Sequence, residues 1–347
     1  MLYQSNNPHG GDRYTRPVEL DFSVNTNPLG PPEDAVRAVE ESARMLDRYP
    51  DPYCRALVEA LAGFEGVPPE YILCGCGAAE VIFSFCAALR PRRALELAPT
   101  FSEYSAALEA AGGRMERFPL SEENGFALTD DFPEFVLKSG CDALFLCTPN
   151  NPTGRLLPPE LMERIRAACR ERDIWLFVDE CFLDLAEGGV SLRRGLAPGE
   201  KLFILRAFTK TFGMAGLRLG YGLCGDRALL AEMARRSQPW NVSLPAQMAG
   251  VAALRDMDYL VRSRALIREE RRYLAAALES LGLWVCPSDA NYLLFRGPSG
   301  LGEALLDRGI LIRDCANYHG LRRGWFRAAV KLRRENQRLA EALGTIL

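Results

Sequence analysis

Three polar residues that could take part in catalysis, Asn151, Asp179 and Lys210, each lie at or a few residues beyond the end of a short apolar run. A lysine at the end of a buried strand is costly unless something uses it, because burial disfavours the charged ammonium. The same desolvation lowers the pKa of such a lysine and frees its amine to attack a carbonyl. Arg218 follows Lys210 by eight residues and could supply a fixed positive charge.

These residue types match the needs of one cofactor, pyridoxal phosphate. Lys210 would form a Schiff base with its aldehyde, and Asp179 would keep its pyridine nitrogen protonated, so that the ring accepts electrons from the substrate's α-carbon. Thr209 and Arg218 would hold its phosphate, since arginine makes two-pronged, charge-assisted bonds. An acidic cap at a strand end is the alternative for Asp179. Asn151 and Lys210 at corresponding strand ends weaken that alternative.

A glycine-containing segment predicts a second contact to the cofactor's phosphate. Gly77, Ala78 and Ala79 lead into a predicted helix over residues 81–89. Small residues let the backbone approach a ligand, and free amides at a helix start bind anions. Such a segment is weak evidence by itself, because many helices follow glycines. Phe101 would stack on the cofactor ring, with ordinary core packing as the alternative.

The elements that must position these residues show a regular alternation. Short runs of continuous hydrophobicity are separated by amphipathic, helix-like segments such as residues 159–172. The runs cover residues 94–97, 143–147, 174–178 and 202–205. Continuous runs are typical of strands buried on both faces of a mostly parallel sheet, and ligands bind at the carboxyl ends of its strands. The predicted fold class is therefore α/β, with a mostly parallel mixed sheet flanked by helices.

The hydrophobic pattern changes after residue 241. A long helical stretch there precedes short strand-like runs at residues 292–295, 310–313 and 325–330. This pattern favours a smaller α+β domain. We predict an N-terminal arm over residues 1–32 that packs near the active site and the small domain. A large domain over residues 33–245 and a small C-terminal domain over residues 246–347 follow.

Composition excludes several function classes. The 347 residues are 48% apolar with a net charge of -3, and acidic and basic residues are interspersed. This balance argues against a protein that binds nucleic acid or a membrane surface. The apolar stretches are strand-sized, so no membrane span is expected. The polar first residues carry no apolar core of a secretion signal, and none is expected.

Cysteine usage points to a reducing compartment. The eleven cysteines are odd in number, and their spacing suggests no disulfide framework. We therefore expect free thiols and a cytoplasmic protein. Cys74 and Cys76 form a C-x-C pair that no second pair completes, so buried small apolar residues are favoured there and no metal is predicted.

Several motifs occur together in one order: GCGAAE, PTFSEY, TPNNPTG, VDECF, FTK and GLRLGY. This series resembles the fold-type-I pyridoxal-phosphate enzymes of the histidinol-phosphate aminotransferase branch, and the resemblance covers nearly the whole chain. It implies that Asn151 bonds the cofactor's ring hydroxyl. It also implies that Tyr49 reaches the phosphate of the neighbouring subunit's cofactor. A homodimer with shared active sites is the consequence.

Within this branch, four segments resemble the L-threonine-O-3-phosphate decarboxylases, which make (R)-1-amino-2-propanol O-2-phosphate for the nucleotide loop of cobalamin. They are HGG at residues 9–11, DFSVNTNPLG at 21–30, QPWN at 238–241 and IRDCANY at 312–318. Phe182 stands where the aminotransferases usually have tyrosine, which removes one hydrogen bond to the ring hydroxyl, as in the decarboxylases. Ala78 and Ala79 replace residues that are often polar, so their backbone amides alone would serve the phosphate.

The substrate's anionic groups need cations, and Arg313 and Arg327 are available. The bond perpendicular to the cofactor ring is the one that breaks, so a decarboxylase must turn the carboxylate out of the ring plane. We expect the substrate's phosphate to occupy part of this cationic set, helped by His9 and the amides of Gly10 and Gly11. The resemblance adds Asn27 and Asn151 as substrate contacts.

Three other functions fit part of the same sequence pattern. Histidinol-phosphate aminotransferase would share the cofactor residues and bind a phosphate monoester. A serine-phosphate decarboxylase would differ by one methyl group, worth only about 1–3 kcal/mol of discrimination. A cofactor-binding module of a transcription regulator is disfavoured, because the resemblance begins near residue 9, which leaves no room for a DNA-binding domain, and because Lys210 is present.

Overall fold

The computed structural model of the protein describes residues 9–347. Its strands are β1 (Leu20–Asp21), β2 (Ile72–Gly75), β3 (Arg93–Ala98), β4 (Arg114–Pro119), β5 (Ala143–Cys147), β6 (Trp175–Asp179), β7 (Leu202–Ala207), β8 (Gly220–Cys224), β9 (Trp284–Val285), β10 (Tyr292–Arg296), β11 (Ile310–Leu311), β12 (Arg313–Asp314) and β13 (Trp325–Ala329). Its α-helices are α1 (Glu33–Ser42), α2 (Arg55–Glu65), α3 (Gly77–Leu89), α4 (Glu103–Ala110), α5 (Phe132–Ser139), α6 (Pro159–Glu171), α7 (Phe208–Thr211), α8 (Arg227–Arg236), α9 (Leu244–Ala253), α10 (Met257–Ser280), α11 (Leu301–Leu306) and α12 (Arg333–Ile346).

A seven-stranded sheet forms the centre of the fold, in the order β2-β8-β7-β6-β5-β3-β4. The strands from β7 to β4 are parallel to their neighbours, whereas β8 is antiparallel to both β7 and β2. The predicted α/β class with a mostly parallel mixed sheet is confirmed. The continuous apolar runs form β3, β5, β6 and β7, four of the five strands of the parallel part.

The sheet is buried on both faces. Successive residues of each strand point to opposite sides, and helices pack against each side. On β5, Leu144 and Leu146 belong to one core cluster and Phe145 to another. Helices α1, α2, α5, α6 and α9 contribute to the first cluster, and α3, α4 and α8 to the second. This double layer accounts for the absence of a polar–apolar alternation in the strand sequences.

A smaller antiparallel sheet, in the order β12-β13-β10-β9, follows in the C-terminal part. Helices α10 and α12 pack together beside it. The run predicted over residues 310–313 forms two short strands, because β11 pairs with β1 of the arm while β12 pairs with β13. Residues 1–8 of the predicted arm lie outside the described residues. The predicted boundary after residue 245 falls inside α9, which packs against α1 and α2, and the three-part division stays our proposal.

The central strands end where the predicted chemistry lies. Asp179 is the last residue of β6, Lys210 lies in the short helix α7 directly after β7, and Asn151 follows β5 by four residues. Since β5, β6 and β7 are neighbours, the three side chains meet at one edge of the sheet. No helix in the described part of the chain is long and apolar enough to cross a membrane.

Candidate active site

A cavity of about 360 Å³ opens at the carboxyl ends of these strands. It brings together most of the predicted site residues. Those that line it are His9, Gly10, Ala78, Ala79, Phe101, Asn151, Asp179, Phe182, Thr209, Lys210, Arg218, Arg313 and Arg327. The cavity thus joins residues that are up to 318 positions apart in the sequence, from His9 to Arg327.

Asp179 lines the cavity and is held in a fixed orientation. Its Oδ2 accepts a hydrogen bond of 2.6 Å from the hydroxyl of Tyr104, and its Oδ1 accepts one of 2.9 Å from the amide of Cys181. Burial raises the pKa of Asp179, while these hydrogen bonds and the charge of Lys210 act in the opposite direction. A buried carboxylate of this kind is stabilised by a cation, and a protonated pyridine nitrogen is such a partner.

Lys210 carries an amine that is activated by its surroundings. Burial, followed by the positive charges of Arg327 and Arg218, lowers the pKa of Lys210 from 10.5 to about 8. Its Nζ lies 5.7 Å from the ring centre of Phe182. The low polarity of that neighbour is consistent with desolvation as the main cause. Near neutral pH a larger fraction of this amine is unprotonated and nucleophilic than for an ordinary lysine.

The lowered pKa predicts a distinct pH dependence for acylation of the cofactor-stripped protein. Only the neutral amine reacts, so the acylation rate of Lys210 should rise with pH and level off above a midpoint near pH 8. Peptide mass spectrometry after brief exposure to acetic anhydride measures this rate at each pH. Lys138, whose side chain is 78% exposed, is the internal reference. Parallel pH profiles for the two lysines would contradict the activation of Lys210.

The residues around Arg218 fit a phosphate. Gly77 has a φ of +82°, and a Cβ there would lie 2.7 Å from Nη2 of Arg218, so only glycine lets the guanidinium approach the start of α3. Within residues 9–347, Arg218 donates to the backbone oxygen of Ala215 at 3.2 Å and to no carboxylate. The hydroxyl of Thr209 is buried without a hydrogen-bond partner among the described residues. An anion with several acceptor oxygens would satisfy these donors.

Arg327 forms a second cationic centre. Its guanidinium bonds Oδ1 of Asn151 and, at 2.8 Å, the backbone oxygen of Ser23. The Asn151 oxygen also accepts a 3.3 Å bond from the hydroxyl of Tyr318. Arg313 is half-buried, with its guanidinium carbon 5.3 Å from the ring centre of Tyr318. Arg327 is buried among neutral partners, and an anionic ligand would offset that cost.

His9 reaches the cavity from the N-terminal arm. Its Nε2 lies 2.8 Å from Oε1 of Glu103, and its ring centre lies 6.0 Å from that of Phe101. The amide of Gly11 donates to Oγ of Ser23 at 2.7 Å. This amide therefore has its hydrogen-bond partner within the arm, whereas the sequence predicted that it contacts the substrate.

Four predicted site residues are not among those that line the cavity: Gly11, Asn27, Tyr49 and Gly77. The amide of Asn27 donates to the backbone oxygen of Thr211 at 2.9 Å and to Ser263 at 2.7 Å, so it braces the segment that carries Lys210. Asn25 of the same motif lines the cavity in its place. Tyr49 is 79% exposed, outside the cavity of its own chain.

Several lining or supporting residues were missed by the sequence prediction: Ser23, Asn25, Glu103, Tyr104, Cys147, Cys181 and Tyr318. Most lie within motifs already singled out. Glu103 and Tyr104 belong to PTFSEY, Cys181 to VDECF, and Tyr318 to IRDCANY. The motif spacing was therefore informative, but it did not indicate which side chains turn toward the cavity.

Comparison with known proteins gives consistent results. Residues 17–343 match the family model described as aminotransferase class I and II. A threonine-phosphate decarboxylase of Salmonella typhimurium is 40% identical over 332 residues, which cover 94% of this chain and 91% of that protein. A crystal structure of histidinol-phosphate aminotransferase from Clostridium acetobutylicum is similar with a TM-score of 0.87 and 29% identity, covering 94% and 98% of the two chains. The crystal structure of L-threonine-O-3-phosphate decarboxylase from Porphyromonas gingivalis has a TM-score of 0.82 and 25% sequence identity. The match covers 94% of this chain and 99% of that chain.

Proposed function

Because the chain belongs to the class I and II aminotransferase family, we propose that it is a pyridoxal-phosphate-dependent decarboxylase of L-threonine O-3-phosphate. Its products would be CO2 and (R)-1-amino-2-propanol O-2-phosphate, for assembly of the nucleotide loop of cobalamin. The similarity to threonine-phosphate decarboxylases in both sequence and structure supports this assignment.

One observation carries the proposal: the cavity offers cations for two anionic groups besides the phosphate end near Arg218. These cations are Arg327, which lies beside Asn151, and Arg313, and both line the cavity. Threonine phosphate has a carboxylate and a phosphate, which match two such cationic places. Histidinol phosphate has a phosphate and no carboxylate, so it would leave part of this cationic set without a partner.

The residues that would hold the cofactor follow from the site. Lys210 would carry it covalently through Nζ, Asp179 would hold the proton of its ring nitrogen, and Thr209, Arg218 and the amides at the start of α3 would bind its phosphate. When bound, pyridoxal phosphate supplies an electron-poor ring that accepts the electron pair of a bond broken at the substrate's α-carbon. Asp179 stabilises that state because its negative charge lies in a buried, preorganised setting.

Orientation of the substrate decides which bond breaks. We propose that His9 and Arg313 would bind the substrate's phosphate and that this contact would set the orientation of the substrate's carboxylate. Phe182 agrees with a decarboxylase. It packs edge-on against Tyr292 and offers no hydroxyl to the cofactor's ring hydroxyl. Positioning of this kind contributes several kcal/mol, roughly 3–10 by analogy with other enzymes. After CO2 leaves, the Lys210 ammonium would return a proton to the α-carbon.

A substrate panel tests the proposed function. Threonine phosphate, serine phosphate and histidinol phosphate are each incubated with the holoenzyme, and CO2 release and oxo-product formation are measured in parallel. We expect CO2 and aminopropanol phosphate from threonine phosphate. An oxo product together with pyridoxamine phosphate on the protein would instead indicate an aminotransferase. Faster CO2 release from serine phosphate would change the assigned substrate but keep the reaction.

We also propose a homodimer with shared active sites. Tyr49 and Trp240 are exposed, with ring centres 4.8 Å apart, and Asn241 next to them donates to Glu80 at the start of α3 at 2.8 Å. This exposed aromatic pair is one part of the contact surface that we propose. Sedimentation equilibrium should give twice the chain mass of 38.5 kDa. A monomer with full activity would rule the shared site out.

We propose a cytoplasmic location because the cysteine thiols are free. All eleven cysteines lie in the described part and are free, most of them buried. Such thiols persist in a reducing compartment. Recovery of the protein in a secreted fraction with paired cysteines would contradict this location.

A further inference from the structure

Tyr318 lines the cavity, and the proposed reaction leaves its hydroxyl without a role. It lies in the segment between β12 and β13 and is 8% exposed. Its ring belongs to a buried cluster that includes Phe126 and Trp325. Its amide donates to the backbone oxygen of Cys315 at 3.0 Å. The ring is therefore held by packing, and the hydroxyl is the part of this side chain that can act on the site.

The hydroxyl of Tyr318 lies between Arg327 and Asn151. Its oxygen is 3.5 Å from Nη1 of Arg327 and 3.3 Å from Oδ1 of Asn151. A guanidinium can only donate, so the Tyr318 oxygen accepts from Arg327 and its proton goes to Asn151. Burial raises the pKa of Tyr318, which keeps this proton in place through the neutral and mildly alkaline range.

Two donors at one oxygen fix the orientation of the Asn151 amide. Its Oδ1 accepts from both Arg327 and Tyr318, and an inverted amide would place its NH2 group against the guanidinium. Nδ2 is thereby left for the cavity, and it has no hydrogen-bond partner within residues 9–347. Asn151 is 6% exposed. A buried donor without a partner is costly, and an acceptor on a bound ligand would remove that cost.

We propose that Tyr318 is a positioning residue that directs Nδ2 of Asn151 to the ring-hydroxyl oxygen of pyridoxal phosphate. This inference rests on the proposed function for the cofactor alone and does not depend on the substrate. Position 182 is a phenylalanine and offers no hydroxyl to that oxygen, so the donor from Asn151 carries more of the load. The hydroxyl of Tyr318 supports this donor, because a second hydrogen bond at Oδ1 polarises the amide and strengthens donation from Nδ2.

Arg327 alone would support the amide less constantly. It is one of the two cations proposed for the anionic groups of the substrate, so its guanidinium would be shared once the substrate binds. The Tyr318 hydroxyl donates to Asn151 and would keep the amide oriented while Arg327 engages the substrate. The donor to the ring oxygen would then stay in place through the reaction.

Tyr318→Phe tests the inference, because it removes the hydroxyl and keeps the buried ring. We expect the cofactor-stripped variant to bind pyridoxal phosphate about three- to ten-fold more weakly in an absorbance titration. In the holoenzyme without substrate, the pH midpoint of the change in visible absorbance should rise by about half a unit. A donor stabilises the negative charge of the ring oxygen, so a weaker donor lets the neighbouring proton stay to higher pH. Tyr273→Phe is the matched control, since its ring can keep the guanidinium of Arg333 at 4.2 Å.

Two double variants separate the orientation of Asn151 from a general loosening of the segment. In an Asn151→Ala background, Tyr318→Phe should not move the midpoint further, because both residues act through one hydrogen bond. Phe182→Tyr, which offers a hydroxyl directly, should move the midpoint of the Tyr318→Phe variant back. An unmoved midpoint in Tyr318→Phe, or a shift that persists in the Asn151→Ala background, would overturn the inference. Absence of CO2 release by the unsubstituted holoenzyme would instead refute the proposed reaction, and these substrate-free measurements are independent of that result.

Discussion

Lys210→Ala should lower the rate of CO2 release from threonine phosphate by about 10⁴-fold or more, because the covalent anchor of the cofactor and the proton donor are lost together. The structure places this amine in a setting that lowers its pKa to about 8, with burial as the main cause. Alanine keeps the helix α7 and removes only the reactive group. Single-turnover CO2 release measures the effect without interference from product release.

Lys138→Ala is the control for this substitution, since Lys138 lies on the exposed face of α5 and pairs loosely with Glu134 at 3.9 Å. Its activity should match that of the unsubstituted protein. The Lys210 variant should still bind the cofactor through Asp179 and the phosphate-binding residues, with altered visible absorbance. Retention of more than about a hundredth of the activity would show that Lys210 is not the essential amine.

Asp179→Asn should reduce the rate by about 10³-fold, a typical cost for removing one preorganised electrostatic contact. Asparagine has nearly the same shape and can still accept the 2.9 Å bond from the Cys181 amide. It carries no charge, so the cofactor's ring nitrogen would lose its proton. The ring would then accept electrons from the substrate less readily. CO2 release and the visible spectrum of the bound cofactor are the two readouts.

Tyr104→Phe separates the contribution of the orientation of Asp179 from that of its charge. It removes the 2.6 Å hydrogen bond to Oδ2 of Asp179 but leaves the charge, so a loss of only about ten-fold is expected. Asp173→Asn serves as the surface control, because the Asp173 side chain is 84% exposed. Equal losses in the Tyr104 and Asp179 variants would mean that the orientation of Asp179 matters and its charge does not.

Much of the fold could be predicted from hydrophobic patterning because parallel strands are buried on both faces. The runs at residues 143–147 and 202–205 correspond to β5 and the body of β7. Strand β4 was harder to predict, since its residues are charged or partly exposed at the edge of the sheet. The break between β11 and β12 depends on two different partner strands, which local sequence does not encode.

The site was predictable at strand ends and less so in the arm. Asp179 and Lys210 are positioned by neighbouring strands, so their order in the chain indicates their meeting point. Asn27 and Asn25 belong to one motif, and only the tertiary packing turns Asn25 to the cavity and Asn27 toward Ser263. The contact between His9 and Glu103 joins segments 94 residues apart, and no local pattern connects them.

The central claim is that Lys210 carries pyridoxal phosphate opposite Asp179 and that this pair drives the reaction. Reduction of the holoenzyme with borohydride, followed by peptide mass spectrometry, tests it most directly. We predict a single phosphopyridoxyl group on the peptide that contains Lys210, and its loss when threonine phosphate is added before the reductant. A phosphopyridoxyl group on another lysine, or none on any peptide, would contradict the account.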